Sequence, residues 1–152
     1  MLREIKFRGK QVDGKEWAYG DLTQSYPTPE IQVTEWTEKY GGFYGTHPVI
    51  LKTVGQYTGL KDKNGTEIYE GDIVVIPEEY IWFDNDEPNY RGIVEWIFSQ
   101  WQVVAHCVNP NKRGISDGIN EGLNDDGYDE GDETCWKVIG NIHDNPELLE
   151  VY

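Results

Sequence analysis

The sequence predicts an all-β domain whose short, bent strands curl into a small barrel, with long acidic insertions and one helical turn near the C-terminal end. Three observations predict it. Six Trp, ten Tyr, four Phe and 17 Gly in 152 residues suit pleated surfaces and tight corners better than helices. Apolar residues recur at every second position in several stretches, and no amphipathic helix of three turns can be traced. Residues 54–74, VGQYTGLKDKNGTEIYEGDIV, read as strand, tight turn and strand in a span too short for another plan. Closing such a sheet on itself removes the unpaired edges that a small open sheet would leave.

Taken in order, residues 4–8 alternate as in a half-buried strand, with Ile5 and Phe7 on one face and Lys6 and Arg8 on the other. Val12-Asp13-Gly14-Lys15 is a hairpin turn, and Trp17, Tyr19 and Leu22 belong to its return strand. Pro27 and Pro29 then break the extended pattern. Ile31 and Val33 alternate with Gln32 and Thr34 in a strand ending near Trp36. Residues 38–46, with Gly41, Gly42 and Gly45, predict a mobile or tightly turned loop, and residues 49–51 lead into the central hairpin. There, residues 56–60 are extended, and Asn64-Gly65 tolerates positive φ at both central positions of a turn. Glu70-Gly71-Asp72 is a second corner: Gly71 permits it, and the Asp72 carboxylate is placed to accept nearby backbone amides. Ile73 opens a buried strand.

Beyond residue 76 the pattern loosens into an acidic, aromatic stretch. A strand resumes at Gly92, with Val94, Trp96 and Phe98 on one face and Ile93 and Ile97 on the other. After a turn at Ser99-Gln100, the return strand aligns Trp101, Val103, Ala105 and Cys107. Apolar residues on both faces predict at least partial cover on both sides. Residues 109–134 carry eight acids and no basic residue after Arg113, which predicts a solvated or disordered loop. Trp136, Val138 and Ile139 form a last strand. Asn145 then caps a helical turn, with Pro146 at its first position, Glu147 complementing the dipole, and Leu148, Leu149 and Val151 anchoring it.

The length fits a single domain, residues 1–152, with insertions at about 23–53 and 77–135. Such a chain buries roughly 68–70% of its unfolded surface and needs no metal or disulfide to fold. Thirteen basic against 28 acidic residues give a net charge of −15. That balance disfavours direct binding to nucleic-acid phosphates and to anionic membrane surfaces. Residues 1–20 interleave charges with aromatics, unlike a signal peptide, and no stretch has the apolar length of a membrane span. These features point to the cytoplasm, with Cys107 and Cys135 reduced.

Three blocks are familiar in combination: REIKFRGK with WAYGDL in residues 3–22, the central block at 54–74, and VIGNIHDNPELL at 138–149. Carrying them in this order, the chain resembles the YopX family, small proteins encoded by bacteriophages and prophages. The resemblance implies a β-rich fold of SH3-like barrel type and a location in the cytoplasm of the bacterial host. It carries over no activity and no catalytic residue.

Several groups of residues have the chemistry for a site, and each also has a plainer role. His106, Cys107, Cys135 and His143 are zinc-ligand types, but adjacent strand residues point to opposite faces, so His106 and Cys107 do not readily share an ion. The acidic residues 124–133 lack the register of a calcium loop. Neither a nucleophile elbow nor a phosphate-cradling loop occurs, and flexible acids have no reason for raised pKa values. No cofactor, no metal and no small-molecule substrate is therefore expected, and the chain is expected not to be an enzyme. Aromatics beside acids suit a protein interface, offering large contact area at low entropic cost. On that ground Tyr80, Trp82 and Phe83, with Asp125, Asp126, Asp129 and Glu130, are the candidate partner-binding residues. The expected partner is a protein of the bacterial host or a second copy of this chain. The alternatives are a DNA mimic, its acids occupying a host DNA-binding protein, and an enzyme of unidentified type.

Overall fold

The computed structural model describes residues 4–37, 41–75, 90–97, 99–107, 120–122 and 136–149. The described residues are all-β, apart from 3-10 turns at Leu51–Thr53 and Pro146–Leu149. The chain divides into two compact units, Met1–Tyr57 and Thr58–Tyr152.

In the first unit, β1 (Phe7–Lys10), β2 (Trp17–Thr23), β3 (Glu30–Thr37) and β4 (Gly41–Pro48) form an antiparallel meander, and the start of β5 (Gly55–Lys61) pairs with β1. The first hairpin closes as its residues predict. The Gly14 N–H donates to the Gln11 carbonyl at 2.7 Å, with Gly14 at φ +72°, and Asp13 Oδ1 accepts the Lys15 N–H at 3.0 Å. Ala18, Ile31 and Val49 form the core, with Phe7, Leu22, Val33 and Val54 packed against it.

Two expectations about this unit are corrected. The segment expected as a loop at 38–46 holds most of β4, which pairs with β3 from Thr37↔Gly41 to Glu30↔Pro48. Strand pairing uses backbone groups that glycine supplies as well as any residue, so composition hid it. The first strand differs in part: Phe7 packs on the core, but its expected companion and the facing cation do not follow the alternation. Ile5 precedes β1 and is 63% exposed, whereas Arg8 is only 6% exposed. The Arg8 guanidinium lies 4.9 Å from the Trp17 ring centroid, and Lys6 Nζ lies 4.9 Å from that of Tyr57. Stacking on an aromatic face offsets part of the desolvation cost and lets a cation be covered.

In the second unit, the rest of β5 pairs with β6 (Glu67–Tyr69). A five-stranded antiparallel sheet runs β10 (Asn120–Gly122), β9 (Gln100–Cys107), β8 (Tyr90–Ile97), β7 (Asp72–Val75), β11 (Lys137–Asn141). The sheets are open, and no closed barrel is formed among the described residues. Ile68, Val74, Val94, Val103 and Trp136 are the core. Each such burial contributes roughly 1.5–3 kcal/mol before entropy is counted.

The Asn64-Gly65 hairpin closes differently from the expected turn. Gly65 has φ +79°, but among described non-glycine residues only Ser99 has positive φ, so Asn64 does not. The Gly65 N–H donates to the Asp62 carbonyl at 2.8 Å, and the Asp62 N–H to the Thr66 carbonyl at 2.7 Å. This is a turn centred on Lys63-Asn64 followed by a glycine bulge. Asp62 selects it: its Oδ1 accepts the N–H of Asn64 at 2.8 Å and of Thr66 at 2.9 Å.

The Glu70-Gly71-Asp72 corner forms as expected, with Gly71 at φ +81° and buried Asp72 accepting the Tyr69 N–H at 2.7 Å. The Gly71 N–H donates to the Val94 carbonyl and the Gly71 carbonyl accepts the Ile142 N–H, tying the corner to β8 and to the segment after β11. The expected C-terminal turn is present at Pro146–Leu149. The Asn145 side chain, however, turns back to the Asn141 N–H at 3.4 Å, while Arg91 donates to the Leu148 carbonyl at 2.7 Å. Within the segment expected as a solvated loop, β10 pairs with β9; residues 109–119 and 123–134 lie outside the described set.

Ser99, at φ +66° in the β8–β9 turn, carries the usual left-handed penalty of roughly 1–2 kcal/mol for a residue with a Cβ. Ser99→Gly is expected to raise stability by up to about 1 kcal/mol, part of the relief being offset by the more flexible unfolded chain. Chemical denaturation measures it; an unchanged or lowered midpoint would remove the strain argument.

Candidate functional site

The interface residues expected from sequence, Tyr80, Trp82, Phe83, Asp125, Asp126, Asp129 and Glu130, all lie outside the described residues. Cys135 does too. Of the zinc-type residues, His106 and Cys107 are placed by backbone alone, at the end of β9 opposite Arg91 and Tyr90. Among the described residues no group of three or more His, Cys, Asp or Glu could hold a metal ion.

The two buried carboxylates, Asp62 and Asp72, are each 1% exposed. Asp62 Oδ1 serves two turn amides, and its Oδ2 accepts the Val138 N–H of β11 at 3.1 Å. Alongside, the Lys63 N–H donates to the Trp136 carbonyl. Asp72 Oδ2 is held by the Tyr69 amide at 2.7 Å. Both carboxylates therefore stabilise turns, and Asp62 also ties its hairpin to β11. The role of Asp62 is hidden in the sequence because its third donor stands 76 positions away; the available signal is an Asp two residues before Asn-Gly, a favoured place for side-chain capture of turn amides.

Tyr19, Tyr26 and Trp96 are the exposed aromatics among the described residues, and of these Trp96 stands at the far end of the β8–β9 hairpin. Register places Trp96 directly opposite Trp101. Their ring centroids are 4.8 Å apart with planes at 69°, an edge-to-face contact, a geometry worth roughly 0.5–1.5 kcal/mol beyond area burial. Trp101 packs on the core beside Val94 and Val103. Its Nε1 is shielded from solvent and meets no acceptor among the described residues. Trp96 is left 49% exposed, with exposed Ser99 and Gln100 at the tip. On the opposite face Gln102 is 5% exposed, with Ile93 and Val104 half-buried, so cover extends to both faces as the apolar pattern requires. The arrangement is a fixed aromatic shelf with one ring presented to solvent, on an acidic protein.

Comparison with known proteins agrees with this architecture. The fold is similar to that in the crystal structure of protein EF1440 from Enterococcus faecalis, with a TM-score of 0.54 and 23% sequence identity, covering 98% of this chain and 100% of that one. At that identity the likeness concerns the fold alone. No curated protein matches the chain. Among the described residues no helix is long and apolar enough to cross a membrane. The family model described as YopX protein matches residues 6–150, a span that contains both cores and the turns at Gly14, Gly65 and Gly71, and the chain belongs to the YopX family.

Proposed function

We propose that this protein is a non-enzymatic interaction module of phage or prophage origin, acting in the cytoplasm of the bacterial host, and that the Trp96–Trp101 shelf is part of its contact surface. The observation that carries the reading is Trp96, 49% exposed while held edge-to-face against a core-packed Trp101. A half-exposed tryptophan on a rigid hairpin loses little conformational entropy on docking, and tryptophan is enriched among residues that dominate binding energies. The commitment of Asp62 and Asp72 to backbone amides supports a structural use of the buried acids. A net charge of −15 favours a protein partner presenting Lys and Arg, and steers its approach. The acidic and aromatic residues at 80–83 and 125–130 belong to the same proposed surface. We further propose a small-barrel closure of SH3 type, which the corners at Gly65 and Gly71 favour; protection of the outer-strand amides from hydrogen exchange tests it.

The experiment is affinity capture from the native host with the full chain and with Trp96→Ala. A discrete partner is expected with the parent chain, its affinity weakened about thirtyfold by the substitution, the equivalent of roughly 2 kcal/mol for a central interface residue. Because Trp96 is half exposed, the unfolding midpoint should move far less than for Trp101→Ala. Reproducible turnover of a defined substrate, abolished by one substitution, would refute the non-enzymatic reading.

A further inference from the structure

Asn64 is followed by Gly65, and no other asparagine in the chain precedes a glycine. Asparagine is among the thermolabile residues, and the pair Asn-Gly is its most reactive setting because no side chain shields the following amide nitrogen. Both residues are exposed, and a Cβ built on Gly65 would meet nothing within 4 Å. The site is open to water. The hydrogen bonds, however, hold the nucleophile: the Gly65 N–H is donated to the Asp62 carbonyl at 2.8 Å, and Asp62 Oδ1 pins the amides on either side of it, those of Asn64 and Thr66.

We propose that Asn64 is a site of spontaneous covalent modification, and that Asp62 sets its rate by keeping the turn closed. The Gly65 nitrogen attacks Asn64 Cγ and forms a five-membered imide. The side-chain nitrogen leaves as ammonia, carrying the proton that Gly65 gives up. Water then opens the imide at either carbonyl, yielding aspartate or a β-linked isoaspartate, with no oxidant or reductant involved. Attack requires the Gly65 N–H to leave the Asp62 carbonyl, so the reactive species is the locally opened hairpin. The isoaspartate product lengthens the main chain by one carbon between residues 64 and 65. The turn then loses the spacing that lets Asp62 hold Asn64, Thr66 and Val138 together. Modification thus loosens the hairpin from β11 and adds a negative charge to an acidic surface.

The test incubates the full chain at mildly alkaline pH, in dilute buffer and in concentrated guanidinium chloride, with peptide mapping by mass spectrometry over time. Asn64 should convert before every other asparagine, and at least about tenfold more slowly in the folded than in the denatured chain, the factor that one charge-assisted hydrogen bond is worth. Asp62→Ala in dilute buffer should approach the denatured rate, and Asn64→Gln should leave the site intact. The isoaspartate-containing fraction, separated by ion exchange, should melt below the unmodified one. Earlier conversion of another asparagine in the folded chain, or equal rates in buffer and denaturant, would overturn the proposal even if Asp62→Ala does not fold.

Discussion

Asp62→Ala is expected to lower the free energy of unfolding by about 3–5 kcal/mol. The carboxylate is the acceptor for three backbone N–H groups, of Asn64, Thr66 and Val138, and it is 1% exposed. Hydrogen bonds to a charged group contribute roughly 1.5–3 kcal/mol each, and three that share one acceptor do not add fully. Water entering the vacated space recovers part of the loss. For a chain of this size the melting temperature should fall by about 10 °C. Asp62→Asn is the discriminating control. Its remaining carbonyl oxygen can serve the two turn amides, but its NH2 group would face the Val138 N–H, so about half the loss is expected. Asp72→Ala, which strands one amide at Tyr69, should cost roughly 1.5–3 kcal/mol. Urea unfolding of the three variants gives the ranking; an Asp62→Ala midpoint indistinguishable from the parent would remove the staple from the account.

Gly20→Ala is expected to cost about 3 kcal/mol or more, because the added methyl meets backbone. A Cβ at position 20 would lie 2.0 Å from the Gln32 carbonyl oxygen and 3.0 Å from its carbon. Neither atom can rotate away, and β2 and β3 are paired at the next residue, Asp21↔Gln32, so the strands must part there. Gly14→Ala is the internal comparison. Gly14 sits at φ +72° with nothing within 4 Å of its built Cβ, and only the left-handed backbone penalty of roughly 1–2 kcal/mol applies. Denaturant midpoints for the two, with amide exchange across the β2–β3 pairing, separate steric exclusion from conformational preference. Equal losses would show that crowding at Gln32 is not what position 20 requires.

The strands that can be traced from sequence are those whose side chains alternate. Ile31 and Val33 mark β3, Val94 and Trp96 mark β8, and Val138 marks β11. Corners at Gly14, Gly65 and Gly71 are visible because a positive φ restricts the residue that can occupy it. β4 escapes because glycine and proline carry no alternating signal, and its signature lies in the strand it pairs with. A turn centred on Lys63-Asn64 cannot be told from one centred on Asn64-Gly65 for a related reason: both use the same residues, and a neighbouring carboxylate chooses between them. Trp96 and Trp101 are recognisable as hairpin aromatics, but which ring faces solvent depends on how the core fills beneath Trp101.

Residue order alone settled the all-β class, most corners and the excess of negative charge, since each depends on one residue or its near neighbours. Folding in three dimensions assigned the fates of the charged side chains. Arg8 is covered because the ring of Trp17, diagonal to it on the paired strand, stacks on its guanidinium, and Asp62 is buried because Val138, distant along the chain, brings it an amide. A buried charge is tolerated only where partners converge on it, and that convergence is a property of the packed chain, absent from any local pattern.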